Sequence, residues 1–146
     1  MGDDGEFTIL IAEDDDGHAT LIRRALRGTG LTNPVQRFVN GEELWGFLSG
    51  TAGTAGGGGF DPRTPYIILM DINMPRMNGI EVLQRIRSED DLKGLLVIML
   101  TTTDDPREVR RCYQLGCNAY MTKPSSFPAF TEAFERLGSF LKVIEV

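Results

Sequence analysis

Residues 66–75 read YIILMDINMP, and this stretch decides the fold. Residues 66–70 are apolar throughout, as expected for a central strand of a parallel sheet that helices cover on both faces. Asp71 follows the run directly. In open α/β sheets, ligands bind beyond the carboxyl ends of the strands. The stretch therefore predicts a buried strand with a carboxylate at the functional edge of its sheet.

The same alternation continues in both directions along the chain. Short apolar runs alternate with amphipathic segments, the pattern of βα units around a parallel sheet. We predict a first helix that Gly28 and Gly30 end, a second at 42–48 capped by Asn40, and a third after Gly79. Pro106 opens a fourth helix, and an apolar stripe over 130–141 marks a fifth. Strands are predicted at 8–12, 35–39, 66–70, 96–100 and 119–122. The fold class is α/β, a doubly wound five-stranded parallel sheet of flavodoxin-like type.

Length and charge limit the function classes. The 146 residues suit one domain, predicted at 7–138, with a disordered 1–6 and a C-terminal arm at 139–146. The net charge of −6 argues against nucleic acid as the main partner. No apolar run reaches the ~20 residues of a membrane span, and the acidic N-terminus lacks a signal peptide's pattern. We therefore expect a cytoplasmic protein whose partners are other proteins.

Three features have ordinary explanations. The low-complexity stretch 49–59, SGTAGTAGGGG, is predicted to be a flexible loop, because a phosphate-binding glycine loop would end in Lys-Ser/Thr. Cys112 and Cys117 lack metal-pair spacing and are interpreted as reduced thiols in or near the core. His18, the single histidine, is interpreted as a surface or edge residue and not as a catalytic base.

Charged and hydroxyl side chains follow four of the predicted strands, and topology brings them to one rim. They are Glu13, Asp14, Asp15 and Asp16 after the first, Asp71 after the third, Thr101 after the fourth and Lys123 after the fifth. Two carboxylates ~4 Å apart repel by about 4 kcal/mol at an effective dielectric of 20, so the cluster invites a cation. Oxygen ligands suit Mg²⁺. An aspartate could then act as a nucleophile toward phosphorus, with a lysine and a hydroxyl stabilising the transferred oxygens.

At these residues the sequence resembles the receiver domains of two-component response regulators. The matching stretches are ILIAEDD (9–15), IILMDINMPRMNG (67–79), VIMLTTT (97–103) and NAYMTKP (118–124). The resemblance spans residues 7–138. It implies a (βα)5 receiver domain that takes a phosphoryl group from a phosphohistidine of a sensor histidine kinase.

The resemblance also implies roles for individual residues. Asp71 is the phosphoacceptor, and Glu13 and Asp14 are the acidic pair that binds Mg²⁺ together with Asp71, with Asp14 as the direct ligand. The backbone carbonyl of Asn73 completes the metal site. Thr101 and Lys123 stabilise the phosphoryl group, and Thr101 and Tyr120 form the switch. The remaining implied roles are a cis peptide bond at Pro124 and control of dephosphorylation by Asn73 and Thr103.

A narrower likeness concerns residues 109–141, VRRCYQLGCNAYMTKPSSFPAFTEAFERLGSFL. This segment resembles single-domain regulators paired with phytochrome-type kinases, so the kinase partner implied is a bacteriophytochrome. The likeness also implies homodimers built on the fourth and fifth helices, the last strand and the C-terminal arm. One departure is Asp16-Gly17, where such regulators often have a proline-containing turn. Asp16 is then either a spare carboxylate near the metal or a helix cap.

Two alternatives remain beside a phosphorylated regulator. A magnesium-dependent aspartyl-phosphate phosphatase commonly has a second aspartate two residues after the nucleophile as general acid, and here that residue is Asn73. A degenerate receiver that only binds partners would usually have lost the acidic pair, the acceptor or the lysine. Nine residues follow Leu137, too few for a helix-turn-helix. We expect no enzyme beyond self-phosphorylation and dephosphorylation of the aspartate, with output through a protein contact.

Overall fold

The computed structural model of the protein describes residues 7–28, 30–50, 59–102, 105–123, 132, 135 and 136. Strands and helices alternate along the chain, as the sequence predicts. The strands are β1 (Thr8–Ala12), β2 (Val35–Phe38), β3 (Tyr66–Asp71), β4 (Leu96–Thr101) and β5 (Ala119–Thr122). The helices are α1 (Asp16–Gly28), α2 (Gly41–Ser49), α3 (Gly79–Ser88) and α4 (Pro106–Gln114). Most of the predicted fifth helix lies outside the described residues, as do 1–6, 51–58 and 139–146.

The five strands form one parallel sheet in the order β2-β1-β3-β4-β5. The predicted α/β fold class is confirmed. After β1 the chain moves to one side, to β2, and afterwards returns past β1 to β3 on the other side. This reversal opens a crevice at the carboxyl ends of β1 and β3, the usual ligand position in doubly wound sheets.

Side chains alternate between two cores, one on each face of the sheet. Ile9 and Ile11 of β1 belong to one cluster, and Leu10 and Ala12 belong to the other. All six residues of β3 are buried, as expected for a central strand covered on both faces. The two cores fix the register of the strands, because a slip of one residue would exchange the faces.

Strand ends differ from the prediction by one residue. Asp71 and Thr101 are the last residues of β3 and β4, because Asp71 is in register with Leu100 and Thr101 with Thr122. β2 ends at Phe38 because the Val39 N–H donates to the Glu43 carboxylate at 3.0 Å and leaves the ladder. The chemistry-bearing residues of β3 and β4 are therefore held by the sheet itself.

Local capping explains where the helices begin. The Asn40 side chain accepts from the Glu43 N–H at 2.7 Å, which confirms the predicted cap of α2. Asn78 and Glu81 form a reciprocal capping box at the start of α3. Pro106 is at the first turn of α4, as predicted. Within the described residues no helix is both long and apolar enough to cross a membrane.

The two cysteines are free and buried, as predicted. Burial raises the pKa of the Cys112 thiol to about 11, and it also raises the pKa of Cys117. Because only the thiolate reacts as a nucleophile or metal ligand, both thiols are suited to packing.

Candidate functional site

Asp71 ends the most buried strand of the sheet, and its side chain is held where the chain turns into α3. Only 6% of the residue is exposed, and Oδ1 accepts from the Asn73 N–H at 3.3 Å. Gly79 packs directly against it: an added Cβ would lie 2.4 Å from the Asp71 carbonyl oxygen. The close approach of α3 therefore requires glycine, and it fixes the backbone of Asp71.

Glu13 follows β1 and lies deeper than its neighbours in the acidic run. It is 1% exposed, its N–H donates to Phe38 O at 3.0 Å, and Oε2 accepts from the Asp15 N–H at 3.2 Å. The Arg37 guanidinium donates twice to the Glu13 carbonyl, at 3.0 and 2.8 Å. These contacts hold the loop between β1 and α1 in one conformation, with the Glu13 carboxylate directed at the crevice.

Lys123 connects the two carboxylates. Its backbone N–H donates to Thr101 O at 2.6 Å, and only 4% of its side chain is exposed. The ammonium Nζ lies 2.5 Å from Glu13 Oε1 and 3.3 Å from Asp71 Oδ2. A buried charge is tolerated when it is paired and hydrogen-bonded. The predicted convergence of Glu13, Asp71 and Lys123 is thus present in the geometry.

Thr101 and Tyr120 lie on neighbouring strands behind this cluster. Thr101 is completely buried at the end of β4, and Tyr120 pairs in register with Met99. The Tyr120 ring is half-buried and packs against one of the two cores. Both residues are therefore where a coupling role would require them, although the role itself stays a prediction. Thr103 and Pro124 lie outside the described residues.

A divalent cation fits the acidic residues of the rim. Oxygens of Glu13, Asp14 and Asp71 lie within 4.8 Å of one another. Asp14 is exposed, whereas the other two are buried, so a bound ion could keep water on one side. Mg²⁺ prefers carboxylate oxygens and retains several waters. The donor set therefore fits the predicted Mg²⁺, and the Asn73 carbonyl stays a predicted fourth ligand.

Burial changes the ionisation of Glu13. Removal from water raises the pKa of its carboxyl group above the ordinary value, and the neighbouring Asp71 charge adds to this rise. The Lys123 ammonium acts in the opposite direction without fully offsetting it. The cluster carries more negative charge than one ammonium balances, which favours binding of a cation.

The structure decides the position of Asp16. Its carboxylate accepts from Arg37 Nη1 at 2.7 Å and is 91% exposed. Asp15 is the residue that caps the helix start, since its Oδ1 accepts from the His18 N–H at 2.9 Å. Asp16 is therefore neither a cap nor part of the group that could hold a metal; it pairs with β2.

Sequence reasoning missed the position of His18. Its side chain is 38% exposed, consistent with an edge residue, but Nδ1 lies 3.2 Å from Lys123 Nζ and 3.8 Å from Glu13 Oε2. The signal available in the sequence was its place in the first turn after Glu13, because residues there face the carboxyl end of the sheet. The lysine that it meets is 105 residues away, so no local pattern indicates the contact.

Comparison with known proteins adds to this geometry. The family model of the response regulator receiver domain matches residues 9–135. The probable methanogenesis regulatory protein FilR2 of Methanothrix harundinacea is 32% identical over 134 residues, covering 92% of this chain and 83% of FilR2.

Two solved structures extend the likeness to the whole fold. A response regulator receiver domain from Rhodospirillum rubrum has a TM-score of 0.83 and 37% identity, covering 95% of this chain and 96% of that one. The phosphorylated cyanobacterial phytochrome response regulator RcpA has a TM-score of 0.82 and 26% identity, covering 94% of each chain.

Proposed function

Because the chain belongs to the response regulator receiver family, we propose that it accepts a phosphoryl group on Asp71 from a sensor histidine kinase. The reaction depends on Mg²⁺, and the signal leaves through a protein–protein surface. The observation that carries the proposal is the Lys123 ammonium between Glu13 and Asp71 at the carboxyl end of the sheet. A buried lysine shared by two carboxylates, beside an acidic group that fits a metal, is suited to phosphoryl transfer.

The two oxygens of Asp71 have different surroundings, which supports a nucleophilic role. Oδ1 accepts from the Asn73 N–H, and Oδ2 faces the Lys123 ammonium. In the transfer, a carboxylate oxygen of Asp71 bonds to phosphorus while the bond from phosphorus to the kinase imidazole nitrogen breaks. Lys123 then offsets charge on the phosphoryl oxygens. Glu13, Asp14 and Asp71 would hold a Mg²⁺ ion, which would supply further positive charge to the phosphoryl oxygens.

Coupling to a surface would pass through Thr101 and Tyr120. Thr101 lies beside the acceptor strand, since β3 and β4 are paired, and Tyr120 lies on the next strand outward. A hydroxyl that turns toward the phosphoryl group would leave space for the half-buried ring to move inward. The two-state surface affected is that of α4 and β5. Asn73 and Thr103 would set the lifetime of the phosphorylated form.

The partner proposals rest on the same surface. Tyr113 of α4 is 50% exposed, and it belongs to the segment that resembles phytochrome-associated regulators. A homodimer through α4, β5, the predicted fifth helix and the C-terminal arm would cover it. The likeness to RcpA supports a bacteriophytochrome as the kinase.

The alternatives have less support. Oxygens of Glu13, Asp14 and Asp71 lie within 4.8 Å of one another, and Lys123 pairs with Glu13 and Asp71. A degenerate receiver would not need this arrangement. A phosphatase of that class commonly has an aspartate at this position as general acid, and the Asn73 side chain cannot donate a proton in that way.

Incubation with acetyl phosphate and Mg²⁺, followed by intact mass measurement, tests the proposal. We expect a gain of one phosphoryl group that disappears in Asp71→Asn and without the metal. Asp90→Asn is the matched control, because Asp90 is 95% exposed on the surface and lies outside the site. Phosphorylation of the Asp71→Asn protein would contradict the proposal. A wild-type protein that neither acetyl phosphate nor a histidine kinase phosphorylates would also contradict it.

A further inference from the structure

The Lys123 ammonium has three neighbours that could accept a hydrogen bond. Two are the carboxylates of Glu13 and Asp71, and the third is the imidazole Nδ1 of His18 at 3.2 Å. An ammonium group has three N–H donors and no lone pair. Each N–H of the ammonium therefore has one candidate acceptor in this cluster, and an ammonium that donates to His18 requires Nδ1 to be the unprotonated ring nitrogen.

We propose that His18 is a positioning residue for Lys123: its Nδ1 holds the third N–H of the ammonium and releases it to the phosphoryl group that arrives on Asp71. This rests on the proposed function. His18 does not touch the reacting atoms, so its effect passes through the lysine.

The physical reason lies in the difference between the acceptors. A phosphoryl oxygen that binds Lys123 must replace one of the three, and the bond to a neutral nitrogen is weaker than the bonds to ionised carboxylates. Mobility favours the same exchange. The Glu13 and Asp71 side chains are 1% and 8% exposed, whereas the His18 ring is 38% exposed at the start of α1. His18 can turn away without opening the core.

Nitrogen NMR tests the contact in the resting protein, where no phosphorylation is required. His18 is the single histidine, so its ring signals are unambiguous. We expect an unprotonated Nδ1 whose resonance moves in Lys123→Met and stays in Lys93→Met, a variant of an exposed lysine. Beryllium fluoride with Mg²⁺, a stable analogue of the phosphoryl group, should move it as Lys123→Met does. A resonance that neither treatment moves would overturn the proposal.

Kinetics test the consequence. We expect His18→Ala to slow phosphorylation by phosphoramidate about three- to tenfold, the effect of one lost hydrogen bond, with an unchanged melting temperature. His18→Gln, whose amide oxygen can accept, should recover most of the rate, and Thr20→Ala on the exposed face of α1 should not change it. Equal rates in wild type and His18→Ala, or no recovery in His18→Gln, would refute the positioning role.

The two proposals fail in different ways. If the wild type takes no phosphoryl group while Lys123→Met still moves the His18 resonance, the proposed function fails and the contact stands. If the wild type is phosphorylated on Asp71 and the His18 variants behave like it, only the role of His18 is wrong.

Discussion

The two ends of the sheet are built in opposite ways. At the amino end, the buried Asn33 amide donates to Phe7 O at 2.9 Å, and the rings of Phe47, Phe60 and Tyr66 pack with centroids 5.1–6.1 Å apart. At the carboxyl end, three carboxylates and one ammonium share the crevice. One end is internally satisfied, and the other keeps an excess of negative charge.

The difference indicates which residues serve the fold and which serve the chemistry. Aromatic and aliphatic burial at the amino end stabilises the folded state without any ligand. The carboxylates at the other end repel one another, so their arrangement is costly until a cation arrives. Changes at the amino end should therefore alter stability alone, and changes at the carboxyl end should alter chemistry, with stability effects that depend on charge.

The strongest test at the amino end is Phe47→Ala. Phe47 is buried and contacts the rings of Phe38, Phe60 and Tyr66, so its removal leaves a cavity. We expect a loss of about 4 kcal/mol in the free energy of unfolding. At a temperature where the variant is folded, the phosphorylation rate should stay near that of the wild type. Chemical denaturation and the acetyl phosphate assay measure the two quantities.

Glu42→Ala is the matched control on the same helix. Glu42 is exposed and forms a surface ion pair with Arg76, which is worth less than about 1 kcal/mol. A large drop in the phosphorylation rate of folded Phe47→Ala would show that the two ends of the sheet are coupled, contrary to this comparison.

At the carboxyl end of the sheet, Lys123→Met should change both the stability and the chemistry of the protein. Loss of the ammonium leaves the buried Glu13 and Asp71 carboxylates without their partner, and an unpaired buried charge costs about 3 kcal/mol. We expect a lower melting temperature without divalent cations and a larger increase on adding Mg²⁺ than the wild type shows. Phosphorylation from acetyl phosphate should also slow.

The control is Lys93→Met, which removes an exposed lysine that pairs with Asp90. It should match the wild type both with and without Mg²⁺. If Mg²⁺ stabilised Lys123→Met no more than the wild type, the charge balance assigned to the carboxyl end would be wrong.

Some features of this protein could be predicted from the sequence and others could not. The difference depends on how far apart along the chain the interacting residues lie. Local signals located most elements to within one or two residues: the Asn40 cap, Pro106 and the apolar runs act within a few residues. Parallel topology then brought Glu13, Asp71 and Lys123 to one rim, because the ends of parallel strands share an edge. These positions required only strand order.

Side-chain partners across the rim could not be predicted in the same way. The contact of His18 with Lys123 depends on how far α1 is rotated about its axis, which is set by packing and not by local sequence. The pairing of Asp16 with Arg37 likewise depends on β2 lying next to β1. A carboxylate in an acidic run has several possible partners, and only the packed chain chooses among them.

The smallest expected effect on stability concerns Glu13, and its direction follows from the pKa of this carboxyl group. Burial raises the pKa of its carboxyl group above the ordinary 4.5, so the folded state binds that proton more tightly than the unfolded chain does. The stability that comes from this proton is fully present below the unfolded pKa and is lost as pH rises through the folded pKa. At neutral pH the charged Glu13 therefore opposes folding.

We expect Glu13→Gln to unfold at a temperature a few degrees above the wild type at pH 7 without divalent cations, a gain of about 1 kcal/mol. The amide retains an acceptor for the Asp15 N–H, and Lys123 keeps Asp71 as a partner. The two melting curves should converge as pH falls toward 4, whereas the exposed Glu42→Gln should show no such convergence. A Glu13→Gln protein less stable than the wild type at pH 7 would mean that the Lys123 ion pair outweighs the burial of the carboxylate. The carboxyl end would then contribute to stability as the aromatic end does.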